Sequence, residues 1–241
     1  MSNKSSSEEL IEALRKSPGD GGIANELLRQ MFRGYPVENL RQLLNDERDT
    51  VVEVGVWIAS ELAEKAAPVV SEVQALLKHH NERIRYLAIN TILTTPPKKD
   101  DLAIVEIINL TDDPSEIVRQ NGIRFLSGVQ VERLRAVLES SDKLNLSSIQ
   151  LNGINLVVEF REQYDLDKLM RVIKDSDRAL LKYGLAAIGG VYSEVSEVIK
   201  FALRHGDQDS KVFASNLVCR TDLEDKALPA VKKHWRQIKE S

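Results

Sequence analysis

Cysteine is almost missing from this chain: Cys219 is the only one in 241 residues. That excludes an intramolecular disulfide and any multi-cysteine zinc site. Aromatic residues are scarce, at 5%, so aliphatic side chains must fill the core. Long apolar runs are missing as well. A membrane-spanning helix needs ~18 uncharged apolar residues, and the richest stretch, Val51 to Leu62, is interrupted by Glu53 and Glu61. The polar opening MSNKSSSEEL has no apolar signal core, so a cytoplasmic protein with no membrane partner is expected. Finally, there is no excess of positive charge. Lys and Arg number 33 against 37 Asp and Glu, a net charge of −4. Dedicated phosphate-backbone binders carry a basic excess, so nucleic acid is disfavoured as a partner. The charge is uneven: residues 1–120 hold 14 basic and 20 acidic side chains, a net of −6, and the remainder holds 19 and 17, a net of +2.

What the chain does have is 42% hydrophobic residues, and they fall in columns. Small residues recur at Gly55, Ala88, Gly122, Gly153, Gly184 and Ala214, spaced by 33, 34, 31, 31 and 30. Four residues earlier stand Val51, Ile84, Val118, Ile149, Leu180 and Ser210; four later stand Ala59, Ile92, Leu126, Val157, Ile188 and Val218. Positions −4, 0, +3 and +4 form one stripe of an α-helix. Fifteen residues before the small column lies a second apolar one, Leu40, Val73, Ile107, Leu138, Leu169 and Ile199, which belongs to a preceding helix. A repeat of this length is the mark of a helical array. Gly inside a helix costs about 0.5–1 kcal/mol relative to Ala, so its recurrence points to close helix approach.

Each unit therefore reads as two short helices and a tight turn. First helices are predicted near 37–45, 68–78, 101–111, 131–140, 165–174 and 194–204. Second helices are predicted near 50–63, 82–93, 115–127, 147–160, 178–190 and 209–219. The turns carry helix-start residues, most clearly Asp113-Pro114-Ser115. Two N-terminal capping helices are expected within 8–33, split by Ser17 to Gly22, and a C-terminal capping helix at 225–239. The six repeats of 37–219 contain no linker, so a single all-α domain over 1–241 is expected.

The run Asp113 to Gly122, with Asp in the turn, then Val118-Arg119, then a small residue three later, resembles the HEAT-repeat superfamily. The turn Asp recurs at Asp46 and Asp175, and the basic residue at Arg85 and Lys211. Other repeats depart, with His79 and His205 in place of the Asp and Val52, Gln150 and Leu181 in place of the Arg. The resemblance covers about three quarters of the chain. It implies a right-handed α-α superhelix with the second helices lining its concave side. It also implies that Asp113 and Arg119 are structural and not catalytic.

Catalytic chemistry is hard to find. Of the four histidines, none stands in an H-E-x-x-H motif. His79 and His205 share a repeat position but lie four repeats apart, so they read as turn-capping or solvent-facing residues and no metal site is expected. HEAT-like hydroxylases carry His-Glu pairs, and this chain has no such dipeptide. Cys219 has no neighbouring base and reads as core. No phosphate-binding glycine motif occurs, and Gly189-Gly190 ends a helix. No cofactor is expected, and the chain reads as a non-enzyme.

Positions two before and two after the small column share the opposite helix face. They supply the candidate partner-binding residues Glu53, Trp57, Tyr86, Asn90, Gln120, Arg124, Asn155 and Lys182, with Glu61 extending the first repeat. Trp, Tyr and Arg are enriched at binding hot spots; packing between helices is the competing reading for Trp57 and Tyr86. Two classes of function stay open. One is a non-catalytic protein binder. Within it, compact acidic HEAT-like chains resemble the immunity proteins of bacterial toxin systems, which implies a basic toxin domain as partner; a general adaptor is the sibling reading. The other class is a HEAT-like alkylpurine DNA glycosylase, against which the absence of a basic groove weighs.

Overall fold

In a computed structural model, residues 2–95, 101–140, 144–175, 178–189 and 196–220 are described. The fold is all-α, with no strand among those residues. No helix among them is long and apolar enough to cross a membrane. The expected capping helix at 225–239 and His234 lie outside the described residues.

The chain divides into two compact units, residues 1–107 and 108–241. The repeat spacing predicts no such division, because periodicity reports each helix pair and not which pairs cohere.

The first unit begins with α1 (Ser2–Lys16) and α2 (Gly21–Phe32), which pack on each other. Asp20 caps α2 by accepting from the N–H groups of Gly22 and Ile23 at 2.9 and 3.1 Å. A 3-10 turn at Val37–Leu40 runs into α3 (Arg41–Leu44), and α4 (Asp49–Leu62) packs back on it. A first helix is predicted near 68–78, but only α5 (Val70–Ala75) is α-helical there. It is flanked by 3-10 segments at Ala63–Val69 and Leu76–Lys78. Pro68 sits in the first of these and cannot donate an α-helical hydrogen bond. Next come α6 (Glu82–Thr94), which packs on α4, and α7 (Asp101–Asn109), within which the division falls.

The small column is buried in this unit for the expected reason. A methyl group on Gly55 would stand 2.8 Å from Leu43 Cβ, so only glycine lets α4 settle on α3. Ala88, Val51, Ile84, Ile58 and Ile92 are fully buried around it. Ala63 is strained, with φ 48° and ψ −133°, in the region that favours glycine. Ala63→Gly is expected to stabilise the protein by about 1 kcal/mol, since strain of this kind costs of order 1–3 kcal/mol and the glycine entropy penalty offsets part of the relief. A thermal melt checks it; a lower midpoint would contradict it.

Asp46 joins the first repeat's turn to α1. Its carboxylate accepts from Arg48 at 2.8 and 2.9 Å and from Arg15 at 3.1 Å, with its side chain 4% exposed. The Arg48 hydrogen bond outweighs desolvation and, with Arg15, holds the Asp46 carboxyl well below the usual range. A depressed carboxylate stabilises the fold above its unfolded pKa, about 3.9, and that contribution is lost as pH falls through the folded value. Asp46→Asn is therefore expected to lower the melting temperature by a few degrees at pH 7. The gap from wild type should narrow as the melts are repeated progressively below pH 4. A gap that is constant with pH would contradict the account.

The second unit contains α8 (Glu116–Gly128), α9 (Val131–Glu139), α10 (Ser148–Gln163), α11 (Leu166–Asp175), α12 (Leu181–Ile188), α13 (Ser196–His205) and α14 (Gln208–Arg220). Ser147 and Gln150 form a full capping box on α10. Here the spatial order differs from the sequential stacking that the columns predict. Helix α12 is the hub, and α8, α10 and α14 all pack on it. The contact with α10 is ring against glycine: a methyl on Gly153 would fall 2.3 Å from Tyr183 Cγ. Tyr183 is fully buried, and its hydroxyl lies 3.4 Å from Thr111 Oγ1. Burial pushes its pKa up to about 12. The contact with α8 places Gly189 on Ser127, whose Oγ would be 2.5 Å from an added methyl.

Two column residues depart. Leu138 is only partly buried, and Leu134 and Val137 face the core of α9 instead. Ile149 is 39% exposed. Gln150 turns in beside it, because its Nε2 donates to Asp112 Oδ2 at 3.2 Å and its Oε1 accepts from Ser147 N.

Candidate protein-binding site

In the first unit, α4 and α6 present a half-buried face beside the α1–α2 turn. A cleft of about 280 Å³ lies there, lined by Pro18, Gly19, Glu53, Trp57, Arg83 and Leu87 among others. Residues 50, 53, 57 and 61 lie along one side of α4 at helical spacing. Trp57 is half-buried, and its indole forms part of the cleft wall. Glu53 pairs with Arg83 across the cleft at 2.7 Å, so the ion pair bridges α4 and α6 at the surface. The turn carrying Pro18 and Gly19 is fixed by Asp20 N donating to Ser17 O at 3.1 Å, and a methyl on Gly19 would meet nothing within 4 Å. Glu61 is exposed one turn beyond Trp57, while Tyr86 and Asn90 are half-buried on α6. The cleft thus offers an aromatic wall, an apolar floor at Val54 and Leu87, and carboxylates beside it.

The second unit treats its candidates differently. Arg124 and Asn155 are exposed, with Asn155 donating to Glu159 Oε1 at 3.0 Å. Gln120 and Lys182 are engaged internally, which corrects the expectation that they face a partner. Gln120 Nε2 donates to Asp209 O at 2.8 Å, and its Oε1 is buried. Lys182 is paired with Asp112 and donates to Thr111 O at 3.2 Å, with its side chain 14% exposed. The cause is the hub: α12 is enclosed by its neighbours, so its −2 position faces protein.

The basic residue three before the small one has a turn-clamping role. Arg85 Nη1 donates to the carbonyls of His79 and His80 at 2.7 and 2.8 Å, and Arg119 Nη1 does the same to Asp113 and Pro114 at 2.7 and 2.9 Å. Arg119 also makes a two-pronged pair with Asp209, at 2.5 and 3.1 Å. Both its ends are thus engaged in the unit's own structure.

Among the histidines, His79 Nδ1 accepts from Asn81 N at 3.1 Å, the expected turn-capping role. His80 and His205 are exposed, and the His205 ring stands 4.7 Å from that of Phe201. The backbone of Cys219 is in α14, and its side chain lies outside the described residues. One grouping escapes the sequence reading. Asp49, His79 and His80 converge, their ligand atoms within 4.8 Å of one another. Asp49 and His80 are 31 residues apart, two short of the local repeat spacing of 33, so they share no repeat position and the columns do not pair them.

No family model matches the chain, and no curated protein sequence matches it.

Proposed function

We propose that the chain is a non-catalytic, HEAT-like helical-repeat protein that binds another protein through the α4–α6 face, with Trp57 as anchor. One observation carries the reading: a tryptophan is kept half-exposed in a cleft, in a chain whose core is mostly aliphatic and whose Phe125 and Tyr183 are buried. Large aromatics that are left accessible in pockets are the side chains that dominate binding energies. The buried small column and the turn-clamping arginines support the repeat reading. Glu53 is neutralised by Arg83 at the cleft, but Glu61 is exposed beside it in the acidic part of the chain, so the partner presents basic charge around an apolar anchor. A basic toxin domain has that chemistry, which makes an immunity protein the specific form of the proposal and a general adaptor its broader form.

The test compares the dissociation constants of a co-purifying partner for wild type, Trp57→Ala and Glu61→Arg. Loss of a hot-spot anchor costs at least 2 kcal/mol, about 30-fold in affinity. Glu61→Arg should slow association and flatten its salt dependence. On short duplex DNA at low salt, the wild-type chain is expected to give no gel retardation. Tight, salt-sensitive retardation would favour the glycosylase reading instead.

A further inference from the structure

The Asp49–His79–His80 grouping lies apart from the partner-binding proposal. Asp49 opens α4, and His79 to Asn81 form the turn that opens α6, one repeat later. His80 Nε2 lies 2.7 Å from Asp49 Oδ2, and His79 Nε2 lies 3.7 Å from Asp49 Oδ1. Two ligands on one zinc ion, each ~2.0–2.1 Å from it at tetrahedral angles, stand about 3.3 Å apart. The two imidazoles meet different oxygens of the one carboxylate, and the ligand atoms of all three side chains lie within 4.8 Å of one another, so small side-chain rotations bring them to that spacing. The imidazoles are stacked, with centroids 4.4 Å apart and planes 27° from parallel. Their backbone is held in place, because the Arg85 guanidinium is turned onto the carbonyls of both residues.

We propose that Asp49, His79 and His80 form a surface binding site for a zinc-like divalent cation, with water in the remaining coordination positions. Two imidazoles and one carboxylate suit zinc or nickel, whereas magnesium and calcium prefer all-oxygen ligation. His79 is held below the ordinary histidine pKa, chiefly by burial. The Asp49 charge opposes that shift, and the His80 and Arg85 charges add to it.

Ligation has one structural consequence. His79 Nδ1 accepts the Asn81 N–H, which puts the neutral ring's proton on Nε2. Binding a cation at Nε2 transfers that proton to Nδ1 through solvent, and the Asn81 N–H loses its acceptor.

The experiment is calorimetric titration of the tag-free chain with zinc chloride, run beside Asp49→Asn and His80→Asn. His80 is exposed, so His80→Asn should melt like wild type without metal. Wild type should bind one equivalent at this site, each variant at least tenfold more weakly. Magnesium should give no heat. The Asn81 amide resonance should shift on saturation in wild type and stay put in His80→Asn. Absence of zinc binding, or binding within threefold of wild type in both variants, would overturn the proposal.

Discussion

Gly153→Ala is expected to destabilise the second unit by about 2 kcal/mol, and Gly153→Leu by about 3 kcal/mol or more. The added carbon has nowhere to go. It would lie 2.3, 2.4 and 2.6 Å from three atoms of the Tyr183 ring. The ring cannot retreat, because Tyr183 is fully buried between helices and its hydroxyl is held near Thr111. Both residues recover helix propensity relative to glycine, but alanine forces one carbon into the filled space and leucine four, which is why the alanine penalty is smaller. For a chain of this size, 2 kcal/mol corresponds to roughly 4–8 °C in melting temperature. Gly21→Ala is the control. It stands in α2 with nothing within 4 Å of an added methyl, and its melt should match wild type or rise slightly. A Gly153→Leu melt that also matches would mean that α10 does not meet α12 through this glycine.

Arg161→Met is the second large effect, expected to cost about 3 kcal/mol. Arg161 leaves α10 and donates to three backbone carbonyls: Val129 O at 2.8 Å, Leu126 O at 2.5 Å and Ala186 O at 3.1 Å. Leu126 is in the last turn of α8, Val129 follows that helix, and Ala186 is in the last turn of α12. Carbonyls at helix ends have no partner within the helix, so one guanidinium caps two helices where they converge on α10. Hydrogen bonds from a charged donor contribute about 1.5–3 kcal/mol each, and stranded buried acceptors carry a penalty of their own. Methionine keeps much of the stem's packing and removes all the donors, so the loss reads on hydrogen bonding. Burial pulls the Arg161 pKa down from its ordinary value, but an arginine pKa starts so far above neutrality that the charge persists at pH 7. Arg161→Lys should recover only part of the loss, since an ammonium group cannot reproduce the planar fork. Urea unfolding of the three proteins checks the order wild type, lysine, methionine. A methionine variant as stable as wild type would contradict the capping role.

The helix pairs were legible because each carries its own apolar stripe, and the turn at Asp113-Pro114-Ser115 carries local helix-start chemistry. The neighbours of α12 were not. Columns repeat the same pattern in every unit, so nothing in them says that the glycine of 153 receives the tyrosine of 183. Tyr183, a bulky residue directly before a small-column glycine, is the nearest thing to a signal. Gln120 and Lys182 were placed on the exposed face by the same periodicity, but Lys182 is on the enclosed hub and Gln120 donates to the first turn of α14. Arg161 stands beyond the apolar stripe with no motif around it, so its capping role depends wholly on tertiary structure. The Asp49–His80 pair was hidden in the same way: comparing positions across repeats matched His79 with His205, and Asp49 and His80 stand two residues out of phase with each other.

The most direct test of the account is the affinity of the purified partner for wild type and for Trp57→Ala, with a thermal melt of each to establish intact folding. The prediction is a loss of about 30-fold or more with an unchanged melting temperature. Affinity within threefold of wild type, in a variant that folds equally well, would contradict the placement of the binding face on α4 and α6.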